Sequence, residues 1–74
     1  MRILKSSFYI NPTRSHQLRE ECFTIIKGEG VKKSFIADNS SIAKSEFSQF
    51  LKGRDFSDRV LDRLEGFLET KYRN

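Results

Sequence analysis

Residues 35–53, FIADNSSIAKSEFSQFLKG, carry a row of apolar side chains straight across a turn-like break. Ala37, Ile42, Phe47 and Phe50 follow one another at spacings of five, five and three. Between the halves sit Asn39, Ser40 and Ser41, which favour turns because their side chains bond nearby backbone. Two short helices joined this tightly must share one buried face. Ala37 is small enough for the second helix to cross close to the first, Ile42 and Phe47 fill the angle, and Phe50 anchors the far end in the core. The other face of the second helix then offers Lys44, Ser45, Ser48, Gln49 and Lys52 to solvent.

The flanking segments also read as helices. NPTRSHQLREECFTIIKGEG opens with Asn11 as an N-cap and Pro12 at the first helical position, where its missing N–H costs nothing. Leu18, Cys22, Ile25 and Ile26 recur at helical spacing, and Gly28 or Gly30 ends the run. A short second helix is expected over residues 31–38, burying Val31, Phe35 and Ile36, and a third over residues 42–52, stopping at Gly53. DFSDRVLDRLEGFLETKYRN reads as a fourth, with Ser57 as N-cap, Asp58 in the first turn, and Val60, Leu61, Leu64, Phe67 and Leu68 along one face.

Ahead of the helices, Phe8, Tyr9 and Ile10 favour a strand, and the following Asn-Pro blocks a helix from running through. A lone strand needs a partner for its backbone groups, and no second strand-like segment is evident. Two readings stay open: pairing with the same strand of another subunit, with Ile3, Phe8 and Ile10 in a dimer contact, or an irregular arm laying Ile3, Leu4 and Phe8 on the core. The expected fold class is therefore mainly α, a compact four-helix helix-turn-helix domain with a short N-terminal β-strand or extended arm. The 74 residues form one domain, with an arm over 1–11 and a helical core over 12–70.

The net charge of +4 is unevenly placed. Residues 31–54 hold five bases (Lys32, Lys33, Lys44, Lys52, Arg54) against Asp38 and Glu46, whereas residues 55–74 hold four bases against five acids. Arg2 and Lys5 add to the surplus in the arm. A local basic surface fits a polyanionic partner. No apolar run approaches the roughly 20 residues of a membrane span, and MRILKSSFYI lacks the continuous apolar segment of a signal peptide. The single cysteine, Cys22, cannot form an internal disulfide, which suits a reducing cytoplasm. A cytoplasmic protein is expected, of a bacterial cell or a phage-infected host.

Enzyme chemistry finds little purchase. His16 and Cys22 lie six residues apart on one helix, about 240° around its axis, so they point different ways. One His and one Cys make no metal site without clustered carboxylates. GEGVKK contains Gly-x-Gly but neither the P-loop spacing nor a preceding strand. The expectation is a non-enzyme with no cofactor.

Two short helices, a tight turn, and a second helix polar on its outer face make a helix-turn-helix, whose second helix can enter a DNA major groove. FIADNSSIAKSEFSQFLKGRDFSDRVLDRLEGFL, with KGEGVKK before it, resembles the Cro and phage-repressor type of helix-turn-helix domain over about residues 14–70. Ala37, Ile42, Phe47, Phe50, Leu51 and Gly53 stand at matching places, as do Val60, Leu61, Leu64 and Leu68. The chain departs from that pattern at Ser41, where members usually carry the turn glycine. It departs again at Ala43 and Lys32, where they usually carry a capping Ser or Thr, and it lacks a fifth helix. The resemblance implies a sequence-specific, dimeric transcriptional regulator of phage or mobile-element origin that binds double-stranded DNA. Base reading is expected from Lys44, Ser45, Ser48 and Gln49, with Gln49 bidentate to adenine. Phosphate contacts are expected from Lys33, Ser41, Lys52 and Arg54. The alternatives are a protein-binding inhibitor or antirepressor reusing the fold, and a DNA-architectural or excisionase-like factor.

Overall fold

The computed structural model describes residues 10–73. Its first helix, α1 (Pro12–Glu29), starts where Asn11 takes an extended backbone and its side-chain oxygen accepts the Arg14 N–H at 3.1 Å. It ends at Gly30, whose φ of 70° is the left-handed conformation that glycine enters without strain. Of the two candidate stops, the second is used. Leu18, Cys22 and Ile25 are buried along one stripe, and Ile26 is half-buried beside them.

α2 (Lys33–Asn39) and α3 (Lys44–Leu51) each begin two residues later than the apolar pattern implied, with residues 40–43 between them. The turn closes on Ala37, whose carbonyl accepts the N–H groups of Ser40 at 3.2 Å and Ile42 at 3.0 Å. Ser41 follows in the left-handed region at φ 58°, which costs a residue with a Cβ about 1–2 kcal/mol. Lys32 and Ala43 occupy the two N-cap positions, and neither helix has a side-chain cap. Among the described residues, the buried Ser40 hydroxyl has no hydrogen-bond partner.

The expected burial of Phe35 is corrected. Consecutive residues of a helix lie about 100° apart, and the seven-residue α2 gives its inward stripe to Ile36 and Ala37. Phe35 falls on the flank, 41% exposed, and packs edge-on against Phe67 with ring centroids 6.0 Å apart.

α4 (Asp58–Leu68) continues into a π-helical turn, Glu69–Arg73. It buries Leu61, Leu64 and Leu68 and leaves Val60 and Phe67 half-buried. Ser57 takes the N-cap backbone conformation but makes no side-chain cap. It is drawn instead into an isolated antiparallel bridge with Ile10. Ile10 therefore has a backbone partner within its own chain, and its side chain is 56% exposed. Ile3 and Phe8 lie outside the described residues. The core joins all four helices, and a row of rings runs through it. Phe47 stacks on Phe50 at 5.8 Å and Phe50 on Phe56 at 4.5 Å.

One polar stripe of α1 holds the loop ahead of α4. Asn11, Ser15 and Arg19 recur every fourth residue, and all three bond backbone in residues 50–56. The Asn11 N–H donates to the Phe56 carbonyl at 3.0 Å. The buried Ser15 hydroxyl donates to that carbonyl at 3.2 Å and accepts the Phe56 N–H at 2.9 Å. No helix of the described residues is long and apolar enough to cross a membrane.

Candidate nucleic-acid interface

With Phe47 and Phe50 buried beneath it, α3 has one possible outward face. Ser45, Gln49 and Lys52 run along it at i, i+4 and i+7, all exposed. Ser48, half-buried, lies on one flank, and exposed Glu46 lies on the other. Lys44, the first residue of α3, is exposed with its Nζ 3.8 Å from the Asp38 carboxylate. At that distance, and with both groups largely solvated, the pair contributes little.

The expected phosphate-contacting residues lie at element ends or in the turn. Lys33 opens α2, Ser41 lies in the turn, Lys52 caps α3 and Arg54 lies just beyond it, each exposed. Among the described residues, Lys32, Lys33 and Lys52 have no ion-pair partner. Gly53 turns the chain out of α3 at φ 126°, a backbone conformation that L side chains rarely adopt. This turn folds Arg54 back towards the helix. Its N–H donates to the Gln49 carbonyl at 3.0 Å, and its guanidinium donates to Gln49 Oε1 at 2.9 Å. Two residues with separate expected roles are thus in direct contact.

Arg19 carries a role that the sequence did not signal. Its Nε donates to the Phe50 carbonyl at 2.6 Å, and its Nη2 donates to the Arg54 carbonyl at 2.7 Å and to Asp55 at 3.0 Å. The guanidinium also lies over the Phe50 ring, 4.8 Å from its centroid, and the side chain is only 11% exposed. Arg19 thereby satisfies a carbonyl at the end of α3 and locks the loop that carries Arg54. A basic residue inside an amphipathic helix has no distinguishing local pattern, which is why only the tertiary contact reveals it.

Arg14 and Arg73 are taken up by acids of α1 and α4. Arg14 pairs with Asp58 at 2.9 Å, Asp62 at 2.8 Å and Glu65 at 2.6 Å. Arg73 bonds Glu21 and reaches Glu65 at 2.9 Å. Hydrogen bonds from Arg14 and then Arg73 hold the Glu65 carboxyl below the usual carboxylate range, against a smaller opposing effect of burial. Cys22 is fully buried, and burial, helped by the Glu21 charge, pushes its thiol up to about 12. It stays protonated at neutral pH and is no nucleophile. His16 is exposed. No group of three or more His, Cys, Asp and Glu side chains among the described residues is placed to hold a metal ion.

A shallow groove of about 580 Å³ runs between α2 and the C-terminal turn, lined by Val31, Lys32, Phe35, Asp38, Lys71 and Tyr72 among others. Lys71 lies above the Phe35 ring, with Nζ 5.9 Å from its centroid. Comparison with protein-family models, curated proteins and solved structures finds no match for the chain.

Proposed function

We propose that the protein is a sequence-specific regulator that binds double-stranded DNA through α3 and acts as a transcriptional repressor or Cro-like switch. The observation that carries this reading is the outward face of α3: a polar stripe of Ser45, Gln49 and Lys52, flanked by Lys33, Lys44 and Arg54. These are hydrogen-bonding side chains suited to base edges, with cations suited to phosphate at the margins. The left-handed Ser41 adds support, because that is the position where the Cro and phage-repressor type usually places its turn glycine. The buried, protonated Cys22 favours a binding role over nucleophilic chemistry. A single module reads few bases, so the working unit is a two-fold dimer that sets two copies of α3 about one DNA turn, roughly 34 Å, apart. Ile10, exposed at 56%, leaves its side chain open to such a contact.

The test is binding of a fluorescent duplex of mixed sequence at several salt concentrations. Binding should weaken steeply with salt, and K33A and K52A should each lower the log–log slope by about 0.9. Absence of binding at low salt would refute the reading. A protein partner is the second reading, favoured by the groove around Phe35 and Tyr72. It predicts no DNA binding and a loss of partner capture in F35A.

A further inference from the structure

Phosphate-gripping residues usually act independently of the side chains that read bases, and Arg54 does not fit that description. We infer that Arg54 and Gln49 form a single base-reading unit, in which Arg54 occupies the acceptor of Gln49 and turns the pair from a reader of adenine into a reader of guanine. The inference rests on the DNA-binding reading above.

Gln49 can grip adenine only by offering an acceptor to the N6 amino group and a donor to N7. Its acceptor, Oε1, already takes a hydrogen bond from the Arg54 guanidinium at 2.9 Å. A second lone pair remains on that oxygen. A base amino group approaching it would, however, meet the positive charge of the guanidinium. What the unit presents outward is donors: the Nε2 amino group of Gln49 and the remaining guanidinium N–H groups. Guanine offers two acceptors, N7 and O6, on its major-groove edge. The contact is built into the backbone as well as the side chains. The Arg54 N–H is bonded to the Gln49 carbonyl, its carbonyl is held by Arg19, and Gly53 makes the turn that brings the two residues together.

The test is selection from a random duplex pool by wild type, R54A, R54K and Q49A, together with NMR of the Gln49 side-chain amide in the free protein. The wild type should enrich guanine at one position by roughly tenfold, the scale of one good bidentate contact. R54A should lose that preference or move it towards adenine at the same position, with other positions unchanged. R54K, which keeps the charge without the planar fork, should recover binding strength but not the guanine preference. R54A should also shift the Gln49 side-chain amide resonances without any DNA present. If R54A weakens all sequences equally and keeps the preferred base, Arg54 is an ordinary phosphate contact and the inference falls while the DNA reading stands. Enrichment of adenine by the wild type overturns it in the same way. If the amide resonances respond to R54A but no duplex is bound, the contact is real and the DNA reading fails, taking the base preference with it.

Discussion

The α1–α4 side of the molecule and the α2–α3 side handle helix ends and charge differently. On the first, α1 has a side-chain N-cap from Asn11 and a glycine stop at Gly30, and acids of α4 are gathered by Arg14 and Arg73. On the second, Ser41 sits in a conformation better suited to glycine, and the Ser40 hydroxyl is buried without a partner among the described residues. Its lysines at 32, 33 and 52 lack ion-pair partners among the described residues. Apart from the start of α4, which also lacks a side-chain cap, local rules are satisfied where the helices only need to hold together. They are relaxed where a polar, cationic surface is displayed. Departures of this kind concentrate at functional sites, because the surrounding structure can carry their cost. The two sides are joined by Arg19, on α1, which holds the far end of α3 and the loop after it.

The sharpest way to break this contrast is to cut that link. Arg19→Ala removes three hydrogen bonds and leaves the Phe50 carbonyl without its side-chain donor, so it should destabilise the protein by about 2–3 kcal/mol in urea unfolding. Amide exchange should accelerate most over residues 49–56. A loss spread evenly over the chain, or none, would mean that the two sides are joined by the aromatic core alone.

A smaller effect should come from the stitched side. Arg14→Ala should cost about 1–2 kcal/mol near pH 7, since Asp58, Asp62 and Glu65 each lose an ion pair while Asp58 keeps Asn11, Glu65 keeps Arg73, and all stay partly solvated. The Glu65 carboxyl is held below its ordinary value in the folded state. Its stabilising contribution is therefore complete above the unfolded carboxyl range of about 4.3 and is lost as pH falls towards the lower folded value. Thermal unfolding followed from pH 7 to pH 3 should show this acid loss in the wild type and a flatter profile in Glu65→Gln.

The smallest change should be a gain on the strained side. Ser41→Gly relieves the left-handed strain but adds freedom to the unfolded chain, for a net stabilisation of about 0.5–1 kcal/mol by denaturant midpoint. A loss of stability would show that the hydroxyl or Cβ of Ser41 makes a contribution larger than the strain.

The same division explains what could be read from residues alone. The apolar stripes of α1, α3 and α4, the tight turn and the polar outer face of α3 are consequences of helical periodicity and turn chemistry, which are local. The position of Phe35 was not, because in a helix of seven residues the choice between neighbours 100° apart is made by what packs against them. Phe56 escaped because it lies in a loop and has no periodicity to betray it, although its ring stacks on Phe50. Ser57 carried a sound capping signal and does stand at the N-cap of α4, but without a side-chain bond and with a backbone bridge to Ile10 that no local pattern announces. In the candidate site, the residues were legible as a polar face, but the contact between Gln49 and Arg54 and its support by Arg19 depend on partners up to 35 residues distant.

The most direct test of a molecule divided into a holding side and a displaying side is amide NMR during titration with the duplex selected by the wild-type protein. The account predicts that the largest perturbations fall at Lys33, Ser41, Lys44 to Gln49 and Lys52 to Arg54, while the amides around Asp58, Asp62 and Glu65 barely move. Perturbations centred on α4, or on Phe35 and Tyr72, would contradict it.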